Sequence, residues 1–382
     1  MRISHFTVSV VSLLFFNFFA LLSNSAEAKN TLDLTELPSI KSALANKSVI
    51  MDIIPNGNSI LAVGERGHII NWKNDTDWQQ EQAPVSVAIT SVTGLSDGSR
   101  VAVGHDGIII KADPNSDVWR KVFTGVQLTK LKIALLQKQS KALQLEIEQT
   151  QDEDKKEDLT YQLDDINFGV EDSQLELKSG ANKPLLSITT TSNDTLFATG
   201  AYGTLLTSID KGESWRLISD RLKNPDNYHL NAVIATSNDQ LYIVGENGRG
   251  FSSQDLGETW SVMNLPYSGS LFGLIANIKN GNTQLVAFGL QGHFMISNDG
   301  GAHWITKKLP TSASLLGGEF SKQGQAYLVG HGGLIVSFNL ENIDALKIEK
   351  HPSGAALSSV VVKEDSLILA GQFGILSWSI RK

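Results

Sequence analysis

Seven times along the chain an apolar run stops at Gly-x-x-Gly and then resumes. The copies are LAVGERGHII from Leu61, VAVGHDGIII from Val101, FATGAYGTLL from Phe197, YIVGENGRGF from Tyr242, VAFGLQGHFM from Val286, YLVGHGGLIV from Tyr327 and ILAGQFGILS from Ile368. Their first glycines, Gly64, Gly104, Gly200, Gly245, Gly289, Gly330 and Gly371, are 40, 96, 45, 44, 41 and 41 residues apart. Two apolar runs around a two-residue turn predict a β-hairpin, and glycine tolerates the positive φ that such turns need. A repeat of about 40–45 residues is the length of one four-stranded propeller blade. The pattern predicts an all-β fold, a seven-bladed propeller over residues 29–382.

The fifth copy shows how a unit divides. SLFGLIA from Ser270, TQLVAFG from Thr283 and GHFMIS from Gly292 predict three strands, and SNDGGAHW leads into a fourth at Trp304 that ends at Leu309-Pro310. The last copy reaches Lys382 after its third strand, while Leu37-Pro38 stands near the N-terminus where other units have Leu-Pro. Residues Thr31 to Leu37 are therefore expected to supply the missing strand and close the ring, leaving no open edge.

Between third and fourth strands lies an octapeptide of the form Ser-x-Asp-x-Gly-x-Ser/Thr-Trp, the Asp box found in sialidases. SIDKGESW (Ser208–Trp215) and SQDLGETW (Ser253–Trp260) match fully, and SNDGGAHW (Ser297–Trp304) has His303 in place of the hydroxyl residue; units one and two keep only Trp78 and Trp119. Asp210, Asp255 and Asp299 suit an Asx-type turn, Gly212, Gly257 and Gly301 its unusual φ, and Trp215, Trp260 and Trp304 the packing between sheets. A residue that recurs from blade to blade, as Asp210, Asp255 and Asp299 do, is expected to brace the fold, since a catalytic residue occurs once per site. In an up-and-down blade the octapeptides fall on the face opposite the Gly-x-x-Gly turns.

The long interval holds an insertion at residues 126–180. Leu128, Leu131, Leu135, Ala142 and Leu145 keep heptad spacing, as do Leu159, Leu163, Ile166 and Val170 after DEDKKED. The pattern predicts an antiparallel α-helical hairpin, springing from the Gly-x-x-Gly face and serving either as a solvated decoration or as an arm for a partner.

A net charge of −8 gives no general affinity for nucleic acid, and the absence of cysteine excludes disulfides and thiol chemistry. Arg2, the apolar stretch Phe6 to Leu22 and Ala26-Glu27-Ala28 read as a secretory signal over residues 1–28, with an uncleaved anchor as the alternative. The mature chain is expected to be exported, to a periplasm or an equivalent lumen, with no direct membrane insertion after cleavage.

The turn dipeptides differ from blade to blade within a constant glycine frame, which suits a binding surface. The candidate partner-binding residues are Glu65, Arg66, His105, Asp106, Tyr202, Glu246, Asn247, Arg249, Gln291, His331 and Phe373. No catalytic, cofactor or metal residues are assigned: His68, His105, His293 and His331 fall on different blades without ligand-type spacing. A sialidase-type glycoside hydrolase, with Tyr202 and Glu246 as its nucleophile pair, is the alternative function, although no Arg-Ile-Pro motif accompanies it.

AVGERGHI and AVGHDGII turns with Asp-box endings, over essentially all of residues 31–382 except the insertion, resemble the BNR-repeat propellers of the photosystem II stability/assembly factor family. The resemblance implies a non-enzymatic helper that holds a photosystem II assembly intermediate in a thylakoid lumen. In a non-photosynthetic bacterium it implies a periplasmic protein acting beside an RND-type transporter. The charged face of the photosynthetic members is arginine-rich; here the matching turns hold only Arg66 and Arg249.

Overall fold

The computed structural model describes residues 32–180 and 182–380, so the predicted signal segment 1–28 lies outside the described residues. Seven antiparallel sheets follow one another along the chain, at 50–82, 89–123, 185–217, 230–262, 271–308, 315–350 and 357–379. Among the described residues six have four strands in chain order and the seventh has three. Each inner strand neighbours those of the blades before and after it, and the seventh neighbours the first, so the sheets close into a ring.

The pattern of side chains explains the layering. The second strand of four blades is buried along its whole length, as in Ser59–Gly64, Arg100–Gly104 and Leu241–Gly245, and that of the other three along all but its first residue, because a blade packs on a neighbour at both faces. Such strands read as continuous apolar runs. Leu61, Val63 and Ile69 of blade one meet Ala102, Ile108 and Ile110 of blade two in one such layer. Each fully buried aliphatic side chain there contributes about 1.5–3 kcal/mol.

The ring does not close as the sequence predicts. Thr31 lies outside the described residues, and no strand forms over 32–37, where residues 34–37 make a turn and a bend. Ser86 N–H donates to Leu34 O at 2.8 Å, Ser39 N–H donates to Ala83 O at 3.0 Å, and Lys121 reaches Thr35 O and Glu36. The segment thus satisfies backbone groups of the crossing between blades one and two, which have no partner within a sheet. Closure comes from packing of blade seven on blade one. Ile53, Ile60, Ala62 and Ile70 join Val361, Ile368 and Ala370 in one apolar layer, and Ser358 Oγ donates to Ile50 O at 2.8 Å.

Two helices leave the ring between blades two and three, α1 at Gly125–Gln149 and α2 at Glu153–Ser179. The Thr124 side chain caps the first and the Asp152 side chain the second. The α2 seam holds Leu159, Leu163, Ile166 and Val170. In α1 the seam differs from the predicted set. Leu136 packs at Gly169, Ser140 bonds Asn167 at 3.0 Å and Thr129 meets Glu176, whereas Ala142 and Leu145 are exposed. The cause is at the base, where Leu128 and Leu131 turn toward Phe123 and Trp215 of the ring and rotate the remaining apolar stripe away from α2.

Candidate partner-binding face

In six blades the Gly-x-x-Gly turn is a single tight turn with its third residue left-handed: Arg66 has φ 56°, Asp106 58°, Tyr202 54°, Asn247 51°, Gln291 54° and Gly332 69°. The first glycine is extended, so its φ is not the reason for glycine. A Cβ on Gly64 would lie 2.1 Å from Val49 O, and one on Gly330 2.0 Å from Ser314 O. That close approach lets the next residue bond the backbone just before the inner strand: Glu65 N–H donates to Val49 O at 3.0 Å, His105 N–H to Ala88 O at 2.9 Å and Gln372 N–H to Ala356 O at 2.9 Å. The second glycine is left-handed and abuts the outgoing crossing, as Gly248 does at Tyr267 O. The turns are therefore held by backbone, and most dipeptide side chains are released.

Arg66, His105, Asn247, Gln291 and His331 are exposed, and Phe373 is 48% exposed. Asp106 is half-buried. Two candidates carry a local task instead. Glu65 Oε1 accepts from Val49 N–H at 3.2 Å and Glu246 Oε2 from His229 N–H at 2.9 Å. His68 is buried, bonded to Ser48 Oγ at 2.7 Å, and burial lowers its pKa against the pull of Glu65. His293 stacks on Tyr267 with ring centroids 4.7 Å apart.

Four of the candidates gather at the seam of blades three and four. Tyr202, 53% exposed, packs edge-on against the His229 ring at 5.0 Å, and Lys183 Nζ lies 5.3 Å from the Tyr202 ring. His229 Nδ1 is 3.6 Å from Glu246 Oε1. Arg249 bonds Asp226 at 3.3 Å and lies 5.4 Å over the Tyr228 ring, while its Nε is buried without a partner. Asn247 is exposed beside them. Sequence reasoning missed Lys183, Asp226, Tyr228 and His229. For Asp226, Tyr228 and His229 the available signal was the crossing 218–229, ISDRLKNPDNYH, long, rich in polar residues and ending in Tyr-His.

It also missed a ring of positions on the inner strands. Every inner strand shifts register at its second residue, placing Met51, Thr90, Leu186, Asn231, Phe272, Leu316 and Ser358 at one equivalent, half-exposed position next to the turns. Thr90, Asn231 and Ser358 donate to the first carbonyl of the next blade's inner strand, Thr90 at 2.7 Å and the other two at 2.8 Å, while the other four positions are apolar.

The arm starts on this face, where Gly107 abuts Gly125, and its first turns lie along the outer edge of blade three. At its base Lys183 pairs with Glu176, and burial together with Lys183 lowers the pKa of Lys132.

The opposite face is built differently. Asp255 Oδ1 accepts from Ser253 Oγ at 2.8 Å and Thr259 N–H at 2.9 Å, Oδ2 accepts from Thr259 Oγ1 at 2.6 Å, and Trp260 Nε1 donates to Gly257 O. Asp210 and Asp299 repeat the network, with Ser214 and His303 as donors. These bonds hold the Asp255 and Asp299 carboxyls down at about 2. Three arginines are dispersed and committed to partners: Arg100 to Glu81, Arg120 to Glu213, Arg221 to Glu258 and Gly257 O. No group of three or more His, Asp or Glu that could hold a metal occurs among the described residues.

A family model described as DUF6242 beta propeller domain matches residues 188–330. No curated protein matches the sequence. Among solved structures the chain is similar to YCF48 bound to D1 peptide, at 12% identity and TM-score 0.57, over 91% of this chain and 100% of that one. It is similar to YCF48 from Cyanidioschyzon merolae at 11% identity and TM-score 0.57, over 87% and 95% of the two chains. The WD40 beta propeller domain of Doa1 matches at 10% identity and TM-score 0.57, over 90% and 95%. At these identities the likeness establishes the propeller fold.

Proposed function

We propose that the protein is a non-enzymatic, exported scaffold that binds a membrane-protein partner through the Gly-x-x-Gly face and the helical arm. The observation that carries this reading is the construction of that face: backbone bonds hold the turns, and varied side chains are left to meet a partner. The cluster around Tyr202, His229 and Arg249 is its richest part, since aromatic and arginine side chains dominate the energetics of protein interfaces. The likeness to YCF48, solved with a D1 peptide, supports a binding propeller of the assembly-factor type. On the resemblance to the BNR-repeat assembly factors, the partner is a photosystem II intermediate in a photosynthetic host and an RND-type transporter otherwise. The signal-like segment 1–28 supports the export part of this reading.

Capture of a solubilised membrane complex by the mature chain tests the reading. Tyr202→Ala with Arg249→Ala is expected to weaken capture, while the folded Asp255→Ala protein retains it. Undiminished capture by the first variant, or robust turnover in a panel of fluorogenic glycosides, overturns the proposal.

A further inference from the structure

Tyr161, Phe168 and Leu175 of α2 are 62%, 71% and 61% exposed. They stand seven residues apart, and at 100° per residue they fall on the side of α2 opposite Leu159, Leu163, Ile166 and Val170, which form the seam with α1. Single exposed apolar residues are ordinary, but three large ones stand in register along about 21 Å of helix and form an aligned stripe. A seven-residue repeat is the spacing at which one helix lies along another. The Tyr161 hydroxyl is tied to Glu157 at 3.0 Å, which leaves its ring lying on the helix surface.

The flanks of the stripe are acidic. Asp164, Asp165, Glu171 and Asp172 border it, all exposed. Between residues 153 and 179 there are nine acidic residues against three lysines, a net charge of −6. A second copy would bring an equally acidic helix against this one, and an anionic lipid surface would be repelled in the same way. An apolar stripe between two acidic borders matches a helix with the reverse arrangement, large apolar residues every seventh position bordered by lysine and arginine.

We propose that the outer face of α2 is a docking rail for a basic amphipathic helix of a partner protein. The inference deepens the scaffold reading by naming the chemistry that the arm recognises, and its test leaves the turn face untouched.

The probe is a labelled 21-residue helical peptide with leucine at every seventh position and lysine and arginine on either side; the control has glutamate in place of the basic residues. Fluorescence anisotropy with the full mature chain should show binding of the basic peptide only, weakened by raising the salt concentration. The combined variant Tyr161→Ser, Phe168→Ser, Leu175→Ser should bind at least about tenfold more weakly. So should Asp164→Lys, Asp165→Lys, Asp172→Lys, which keeps the stripe and reverses its border; helical circular dichroism should stay unchanged in both. Equal binding of both peptides, or full binding by the triple-serine variant, overturns the proposal. So does loss of peptide binding in Arg66→Ala with Arg249→Ala, which would move the peptide to the turn face. A concentration-dependent dimer abolished by the serine variant assigns the stripe to a second copy, and stripe-dependent binding to anionic vesicles assigns it to a lipid surface; either result overturns the partner-helix assignment. Failure here leaves membrane-complex capture by the turn face standing, since that is measured with different variants.

Discussion

The turns at 245–248 and 253–260 close opposite ends of the same sheet by opposite means. In the first, Glu246 N–H donates to His229 O, Gly248 N–H to Gly269 O and Arg249 N–H to Glu246 O, all through backbone. In the second, Ser253, Asp255, Thr259 and Trp260 direct their side chains back into the turn itself. A turn made by side chains consumes them, so its residues repeat from blade to blade. A turn made by backbone and glycine leaves its dipeptide open to vary, and that freedom is what a recognition surface needs. Glu65 and Glu246, which cap the backbone before the inner strand, are intermediate cases.

The contrast is most sharply tested at the glycines. Gly330→Ala places a Cβ 2.0 Å from Ser314 O and forces backbone apart, so it should lower stability by about 3 kcal/mol. Gly332→Ala, with nothing within 4 Å of its Cβ but φ at 69°, should cost only about 1 kcal/mol. Chemical denaturation of the pair checks the order, and a reversal would mean that the left-handed φ at the third position constrains the turn more than the close approach at the first glycine.

Asp255→Ala should cost about 1–3 kcal/mol by leaving turn amides unpaired. The pH dependence carries a sign. Carboxyls held at about 2, below the ordinary 3.8, stabilise the fold above 3.8, and that contribution is lost as pH falls toward about 2. The wild-type protein should therefore lose stability over that window more steeply than Asp255→Ala in acid melts.

Replacing residues 126–180 by a short Gly/Ser linker should leave a folded ring and cost about 1–2 kcal/mol, because Phe123 and Trp215 lose the cover of Leu128 and Leu131. A collapsed ring on calorimetry would make the arm part of the fold. The smallest effect on stability is expected from Arg66→Ala, under about 0.5 kcal/mol for an exposed turn residue. Its weakening of partner capture should fade at high salt, where exposed charges are screened.

The sequence alone determined what repeats locally. The blade period, the hairpin turns, the octapeptide side chains and the insertion are legible because each rests on residues close together in the chain, where spacing reports geometry directly. Which candidate residues share a place was not legible. Tyr202, His229, Glu246 and Arg249 meet only because the crossing 218–229 folds back over the seam, and no periodicity marks that crossing. The α1 register depended on Phe123 and Trp215 competing with α2 for the same apolar residues, a choice between two seams of similar spacing. Ring closure was decided at the longest range, by Ser358 and Ile50 at opposite ends of the chain and by an N-terminal segment that went to backbone groups between blades one and two. Only the folded ring brings those partners together, and a local pattern carries no record of a neighbour that tertiary structure supplies.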